Sequence, residues 1–405
     1  MRVVFLTSRM PFPPEGGDRF RVYHLIRTAA EAGHEVHLVT FDSAERAPDE
    51  VRPLLRQLAS IRVVRLPRFV STFRSAQALT SNVPLQAAYY RSSRMRQRVG
   101  EALRRIRPDV VVTHLFRMAP YALEHMESHD ARYILDLTDV ISAGIERSLP
   151  YRSGPDLWIY REEMRRIGRF EAKIAPRFDE CWVISEAERV HLERLAPEAS
   201  IAVIPNGLAE LPSARATARD RARLLFLGFH EVFHNRDAVR FLVQEIFPRV
   251  REAVPEATLD LAGKGSEALG SWARGPGVRI VGRVPRLEDA FSSATVFVAP
   301  HRFAAGVQNK VVHALATATP VVSTPAVREG LMPVPDGVMR VGSTAEEIAR
   351  HVVELIRDPA GAAALGERGR VWARSTFTWD VALDALEGTT SRDRQGTEPL
   401  VAAGV

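Results

Sequence analysis

The chain has 405 residues, 46% of them hydrophobic and 26% charged, a balance that excludes a low-complexity or disordered polymer and, at this length, suits two domains of roughly 150–200 residues each. The single cysteine, Cys181, excludes an internal disulfide and makes a reducing, cytoplasmic compartment the expectation. No run approaches the roughly 20 apolar residues of a membrane span, and the net charge of +6 comes almost wholly from arginine, the only lysines being Lys173, Lys264 and Lys310.

The first apolar run, at 3–6, is too short for a signal-peptide core and reads as part of a buried first strand over 3–7. It feeds a loop from Arg9 to Asp18 that carries Gly16 and Gly17, followed by a helix over 19–32. Glycines here let the backbone approach a ligand, and Asp18 can cap the helix. The loop lacks the GxGxxG spacing of a dinucleotide fingerprint. Further strands are predicted at 35–41 and 61–66. Between Arg62 and Arg107 there are eleven arginines against one acid, Glu101. Such a segment is either a solvated helix face or a surface drawn to anionic lipid head groups or a polyprenyl-phosphate carrier, placing the protein peripherally at the inner face of a membrane. Nucleic acid is not indicated, because no recognition-helix or aromatic-interleaved pattern accompanies the charge.

Helices at 95–106 and 157–175 flank strands at 110–114, 133–137, 181–184 and 201–204. His114 ends one of these strands and is placed to orient a hydroxyl or a sugar. Asp136 and Asp139 end the next strand, at a separation that does not make the DxD pattern of a divalent-metal site, and no other DxD occurs. A polar segment at 210–221 reads as the linker between domains 1–209 and 222–376. A second strand series follows at 224–228, 258–262, 278–281, 295–299 and 321–323, and then a helix over 377–388 and a polar tail at 389–405 expected to be disordered. The pattern predicts an α/β protein of two doubly wound Rossmann-like halves facing a cleft.

The stretch 299–324 carries the densest signal. A strand ends at Pro300, a helix is predicted to start near Gly306 with Lys310 on its first turn, and Pro320 opens the next strand. A helix N-terminus beside a lysine is suited to a diphosphate. The segment Gly306-Val307-Gln-Asn-Lys310-Val-Val-His313-Ala-Leu-Ala, with the later Pro320-Val-Val, resembles the nucleotide-binding segment of family 4 glycosyltransferases, which have the GT-B fold. It is most similar to the branch associated with bacterial exopolysaccharide and exosortase gene clusters. Trp158 to Arg161, Phe178-Asp179, Ser185 to Glu188, Val203 to Gly207, Gly282 to Pro285 and Gly16 to Asp18 carry the resemblance over residues 1–385.

No cofactor is expected; the resemblance implies a retaining transferase, and the missing DxD pattern one that needs no metal ion. It would move a sugar from a nucleotide-diphosphate sugar to a carbohydrate, lipid-carrier or small-molecule acceptor, in glycan, exopolysaccharide or glycosylated-metabolite synthesis. His114, Lys310 and Arg236 are then the expected catalytic groups. Gly263, Gly306, Val307, His234, Arg302 and His313 are expected at the donor, and Gly16, Gly17 and Asp139 at the acceptor. The C-terminal helix at 377–388 would return to the first domain. Two glutamates of the family pattern are replaced, by Ala305 and His313. Beside the transferase stand two other readings: a nucleotide-sugar epimerase, and a catalytically silent subunit that binds nucleotide or carbohydrate for a partner enzyme.

Overall fold

The computed structural model describes residues 1–14, 16–42, 48–208, 222–284, 286–303, 306–331 and 333–388. The linker at 210–221, the tail at 389–405 and Ala305 lie outside them. Two parallel sheets organise the chain. The first contains β1 (Arg2–Thr7), β2 (Glu35–Asp42), β3 (Ser60–Arg65), β4 (Val110–His114), β5 (Arg132–Thr138), β6 (Glu180–Val183) and β7 (Ile201–Val203), in the order β3-β2-β1-β4-β5-β6-β7. The second contains β8 (Arg223–Leu227), β9 (Thr258–Ala262), β10 (Val278–Gly282), β11 (Val296–Ala299), β12 (Val321–Ser323) and β13 (Arg340–Val341), in the order β10-β9-β8-β11-β12-β13.

The central strands β1, β4, β8 and β11 are apolar at consecutive positions because both faces of each sheet are covered there. Val4 and Leu6 point into one apolar cluster with Met95 and Leu103, while Val3 and Phe5 point into another with Leu25 and Ile26. Leu224 and Phe226 are likewise separated from Leu225 and Leu227. This period of two places every second side chain on the opposite face. The twelve strands read from the sequence all form, with ends displaced by at most one residue. Only β13 is additional, and a two-residue strand carries no readable period.

Four helices matter for the site: α1 (Gly17–Glu31), α2 (Phe233–Phe241), α3 (Asn309–Ala316) and α4 (Asp380–Glu387). Two expected helix starts move. The first helix begins at Gly17, so Asp18 lies inside its first turn, its carboxylate accepting from the Arg19 N–H at 3.0 Å. The helix expected near Gly306 begins at Asn309, after Gln308 in an extended conformation. Gly306 stays in the preceding loop with φ of +54°. The α4 helix packs on the first sheet, its Ala382 and Leu386 sharing a cluster with Phe5 and Leu25. Arg132 ties its end by donating from Nη1 to the Ala385 carbonyl at 2.8 Å.

In each sheet the strand order reverses beside the first strand, between β1 and β4 and between β8 and β11. Ligands of open parallel sheets bind outside the carboxyl ends of strands at such reversals. The loops after β1, β4, β8 and β11 therefore define the place to look.

Candidate active site

In the first domain a buried polar chain ends at His114. Arg21, fully buried on α1, donates from Nε to both Asp136 oxygens at 2.8 and 3.0 Å. Its Nη1 donates to the Ile204 carbonyl at 2.8 Å and to Asn206 Oδ1 at 3.0 Å. The other face of Asp136 meets His114 Nδ1 at 2.9 Å. Burial alone would push the Asp136 carboxyl up, but Arg21 and the His114 ring hold it below its ordinary range. An ionised Asp136 fixes the proton on His114 Nδ1, which leaves Nε2 free of any partner among the described residues. Asp18 is pushed up by burial and is nevertheless held below its ordinary range by Arg9, His114 and Arg117. Gly16 precedes α1, and nothing lies within 4 Å of where a Gly17 side chain would begin.

In the second domain the ends of β8 and β9 touch. A Cβ on Gly263, whose φ is +125°, would lie 1.8 Å from the Gly228 carbonyl oxygen, so only glycine closes this corner. Above it, Lys310 on the first turn of α3 reaches across to α2. Its ammonium donates to Asn235 Oδ1 at 2.5 Å and lies 3.0 Å from His301 Nε2 and 5.4 Å from the centre of the Phe226 ring. No carboxylate among the described residues pairs with it, and burial pulls its pKa from 10.5 down to about 7. Burial and the charge of Lys310 lower His230 and His234 to about 4, and His301 well below its ordinary value. Near neutral pH three uncharged imidazoles thus surround one titrating amine at a helix N-terminus.

The two halves meet across the cleft. Asn206 Nδ2 donates to Asn309 Oδ1 at 3.2 Å, so the Arg21–Asp136–His114 chain reaches the first turn of α3. His313, lowered to about 4 by burial, stands with its ring centre 5.9 Å from that of Phe20 on α1. A Cβ on Gly306 would sit 1.9 Å from Asp139 Oδ1. Burial, reinforced by Glu188, raises the Asp139 carboxyl to about 7. Tyr151 stacks on Phe303 with ring centres 4.5 Å apart.

The Glycosyl transferase 4-like domain family matches residues 16–207, and the Glycosyl transferases group 1 family matches residues 221–358. No curated protein matches the chain by sequence. Among solved structures, sucrose-phosphate synthase from Thermosynechococcus elongatus superposes with a TM-score of 0.71 at 18% identity, over 98% of this chain and 100% of that one. HepE of Anabaena, solved in complex with UDP, superposes with a TM-score of 0.67 at 14% identity, over 96% and 99%. A glycosyltransferase from Rickettsia africae gives 0.65 at 11% identity, over 95% and 96%. At these identities the structural likeness speaks for the fold, and the two family matches, which together span most of the chain, speak for the activity. The chain is a GT-B glycosyltransferase.

Within this GT-B glycosyltransferase the expected residues fall into two sets. His114, Asp139, Gly16, Gly17, Gly263, Gly306, His234, Lys310 and His313 lie at the strand ends or the facing surfaces just described. Arg302 instead turns outward, where its Nε donates to Asp237 Oδ2 at 3.0 Å and its guanidinium stands 5.1 Å over the Tyr151 ring. Arg236, exposed on α2, lines the same outer hollow of about 420 Å³. Neither takes part in the Lys310 cluster. Val307 is buried in an apolar cluster with Val311 and Leu331. The sequence reading missed Arg21, Asn206, Asn235 and His301. His301 lies two residues beyond the end of β11, close to the strand-end position that made His114 a candidate, and the same rule would have found it.

Proposed function

We propose that this GT-B glycosyltransferase is a retaining, metal-independent enzyme whose donor is a uridine diphosphate sugar. The observation that carries the reading is Lys310. A partly buried amine, free of carboxylates, stands at the N-terminus of α3 beside the bare glycine corner of Gly228 and Gly263. A diphosphate in that corner restores the charge of Lys310 and meets the first-turn N–H groups of α3. Both then oppose the negative charge that develops as the nucleoside diphosphate leaves. Solved HepE structures hold UDP and UDP-glucose, which supports uridine as the base.

His114 is the group on the facing wall. Its Nε2, set by Asp136 behind it, is oriented toward a sugar hydroxyl held between the domains. Closure joins Asn206 to Asn309 and Phe20 to His313, which excludes water and limits hydrolysis of the donor.

The acceptor side of the first domain carries exposed Phe69, Phe73, Leu79 and Val83 beside a hollow lined by Arg74, Arg91 and Arg96. Apolar side chains among cations fit peripheral contact with an anionic membrane. Some of the arginine charge is spent locally, Arg62 and Arg98 on Glu101 and Arg96 on Glu124.

Calorimetric titration with UDP, paired with a nucleotide-sugar turnover panel in chelator, tests the donor reading. Binding that is lost in Lys310→Met and turnover that survives chelation are expected. Turnover restored only by added magnesium or manganese, or UDP affinity unchanged in Lys310→Met, refutes it.

A further inference from the structure

A second cavity, of about 570 Å³, opens in the first domain at the carboxyl ends of β1 and β2. Ser8, Arg9, Arg19, Gln86, Tyr90 and Arg117 supply its polar wall, with Asp42 at another side, and Phe41, Met10 and Leu66 add apolar surface. The size suits a monosaccharide-scale ligand. Ser8, Arg9 and Arg19 also border a small recess that reaches His114 and Asp18. The cavity therefore shares a wall with the recess beside His114.

The electrostatics of this wall are set chiefly by two arginines, Arg117 and Arg9. Arg117 is only 8% exposed, yet among the described residues no carboxylate lies within ion-pair distance of it. Its Nε donates to Ser8 Oγ at 3.0 Å and its Nη1 to Gln86 Oε1 at 2.6 Å, and its guanidinium stands 5.0 Å over the Tyr90 ring. Two neutral acceptors and an aromatic face hold the group in position; burial works against its charge, and Asp18, beyond ion-pair distance, offsets that cost only in part. Arg9 approaches the same wall, with its Nε donating to the Tyr90 hydroxyl at 3.2 Å and its Nη1 3.6 Å from Asp18. A buried cation is ordinarily paired. A fixed, planar, unpaired guanidinium lining a cavity is matched by the oxygens of a phosphate.

We infer that this cavity binds an acceptor bearing a phosphate group, with Arg117 and Arg9 on the phosphate and the hydroxyl to be glycosylated directed toward His114. The inference rests on the transferase reading above and adds the chemical class of the acceptor. A phosphate there comes either from a soluble sugar phosphate or from a polyprenyl-phosphate-linked sugar whose chain leaves toward the exposed Phe69 and Phe73.

The test is binding to the full chain at constant ionic strength, by calorimetry and thermal shift. One arm titrates hexose 6-phosphates and hexose 1-phosphates against the unphosphorylated hexoses. The other adds neutral vesicles doped with polyprenyl phosphate and asks whether they are bound. At least one arm is expected to show binding that depends on the phosphate and falls about tenfold or more in both Arg117→Gln and Arg9→Ala. The arm that responds identifies the source. Arg9 is half exposed, so Arg9→Ala keeps the test sound if Arg117→Gln folds poorly. Equal affinity for phosphorylated and neutral sugars, or phosphate binding untouched by Arg9→Ala, overturns the assignment. UDP binding is measured on the same samples. A chain that binds UDP but not phosphate probes loses only this inference, whereas one that binds phosphate probes but not UDP loses the donor reading.

Discussion

If Lys310 meets the donor diphosphate, nucleotide binding must carry a proton with it. In the free protein the amine has a pKa of about 7 because burial strips its hydration and no carboxylate replaces it. At pH 8 roughly nine-tenths of it is therefore neutral, and at pH 6 roughly one-tenth. A diphosphate returns the pKa toward its ordinary value, so UDP-glucose binding takes up about 0.9 proton at pH 8 and about 0.1 at pH 6. Affinity should be flat below pH 7 and weaken about tenfold per unit above it. The assay is calorimetry in buffers of different ionisation enthalpy, whose slope counts protons directly. His230 and His234, at about 4, stay neutral throughout this window and do not contribute unless the ligand raises them. The same shift has a consequence for folding. Between about 7 and 10.5 the folded chain holds fewer protons on this group than the unfolded one, so stability rises with pH across that window. Lys310→Met should thus stabilise the free protein near pH 7 while it abolishes proton uptake. Zero uptake at pH 8, or uptake that persists in Lys310→Met, refutes the placement of Lys310 on the diphosphate.

Asp136→Asn should lower stability by about 3–5 kcal/mol, since it leaves Arg21 charged and unpaired in the interior, and urea unfolding would show it; a loss under about 1 kcal/mol contradicts the network. His114→Ala should cut turnover strongly while leaving UDP affinity within about threefold, because His114 faces the sugar from the opposite domain; equal losses in both place it elsewhere. Gly306→Ala should weaken nucleotide-sugar binding by pushing its loop off Asp139, and Gly306→Ala combined with Asp139→Gly should recover part of the loss in a double-mutant cycle. Strict additivity in that cycle would show that the two residues do not oppose each other. Vesicle binding through the Phe69 and Phe73 face should need anionic lipid and fall steeply with salt, because exposed charges are screened beyond about 8 Å at physiological ionic strength. Equal sedimentation with neutral and anionic vesicles removes the electrostatic part of that proposal.

The strands were legible because a sheet buried on both faces must be apolar at consecutive positions, as Val3 to Leu6 and Val110 to Val112 are. Strand ends, such as His114 and the Ala262–Gly263 step, could be read for the same reason, since the apolar run stops there. Helix starts were less legible. Gly306 looks like an opening residue, but its positive φ and its contact with Asp139 keep it in the loop, and the turn begins three residues later. The network from Asn309 through Asn206, Arg21 and Asp136 to His114 draws on five separated segments. Nothing in local spacing marks Arg21, which occupies an amphipathic helix rich in arginine and differs from its neighbours only in being wholly buried. Arg302 shows the converse. An arginine after a strand end is a fair phosphate candidate until a neighbouring acid, Asp237, claims it.

The placement of α4 bears on how the chain is made. Leu386 and Ala382 complete an apolar cluster begun by Val3 and Phe5, so the first domain to leave a ribosome is finished by nearly the last described residues. About 180 residues separate Gly207 from the end of α4, and at translation rates of about 5–20 residues per second the wait is on the order of 10–35 s. During that interval the surface that α4 will cover, around Leu25 and Trp182, faces water or a chaperone. A nascent chain stalled before residue 380 should therefore bind a hydrophobic-surface holdase that releases it once α4 has emerged, which makes α4 a timer for the maturation of the whole enzyme.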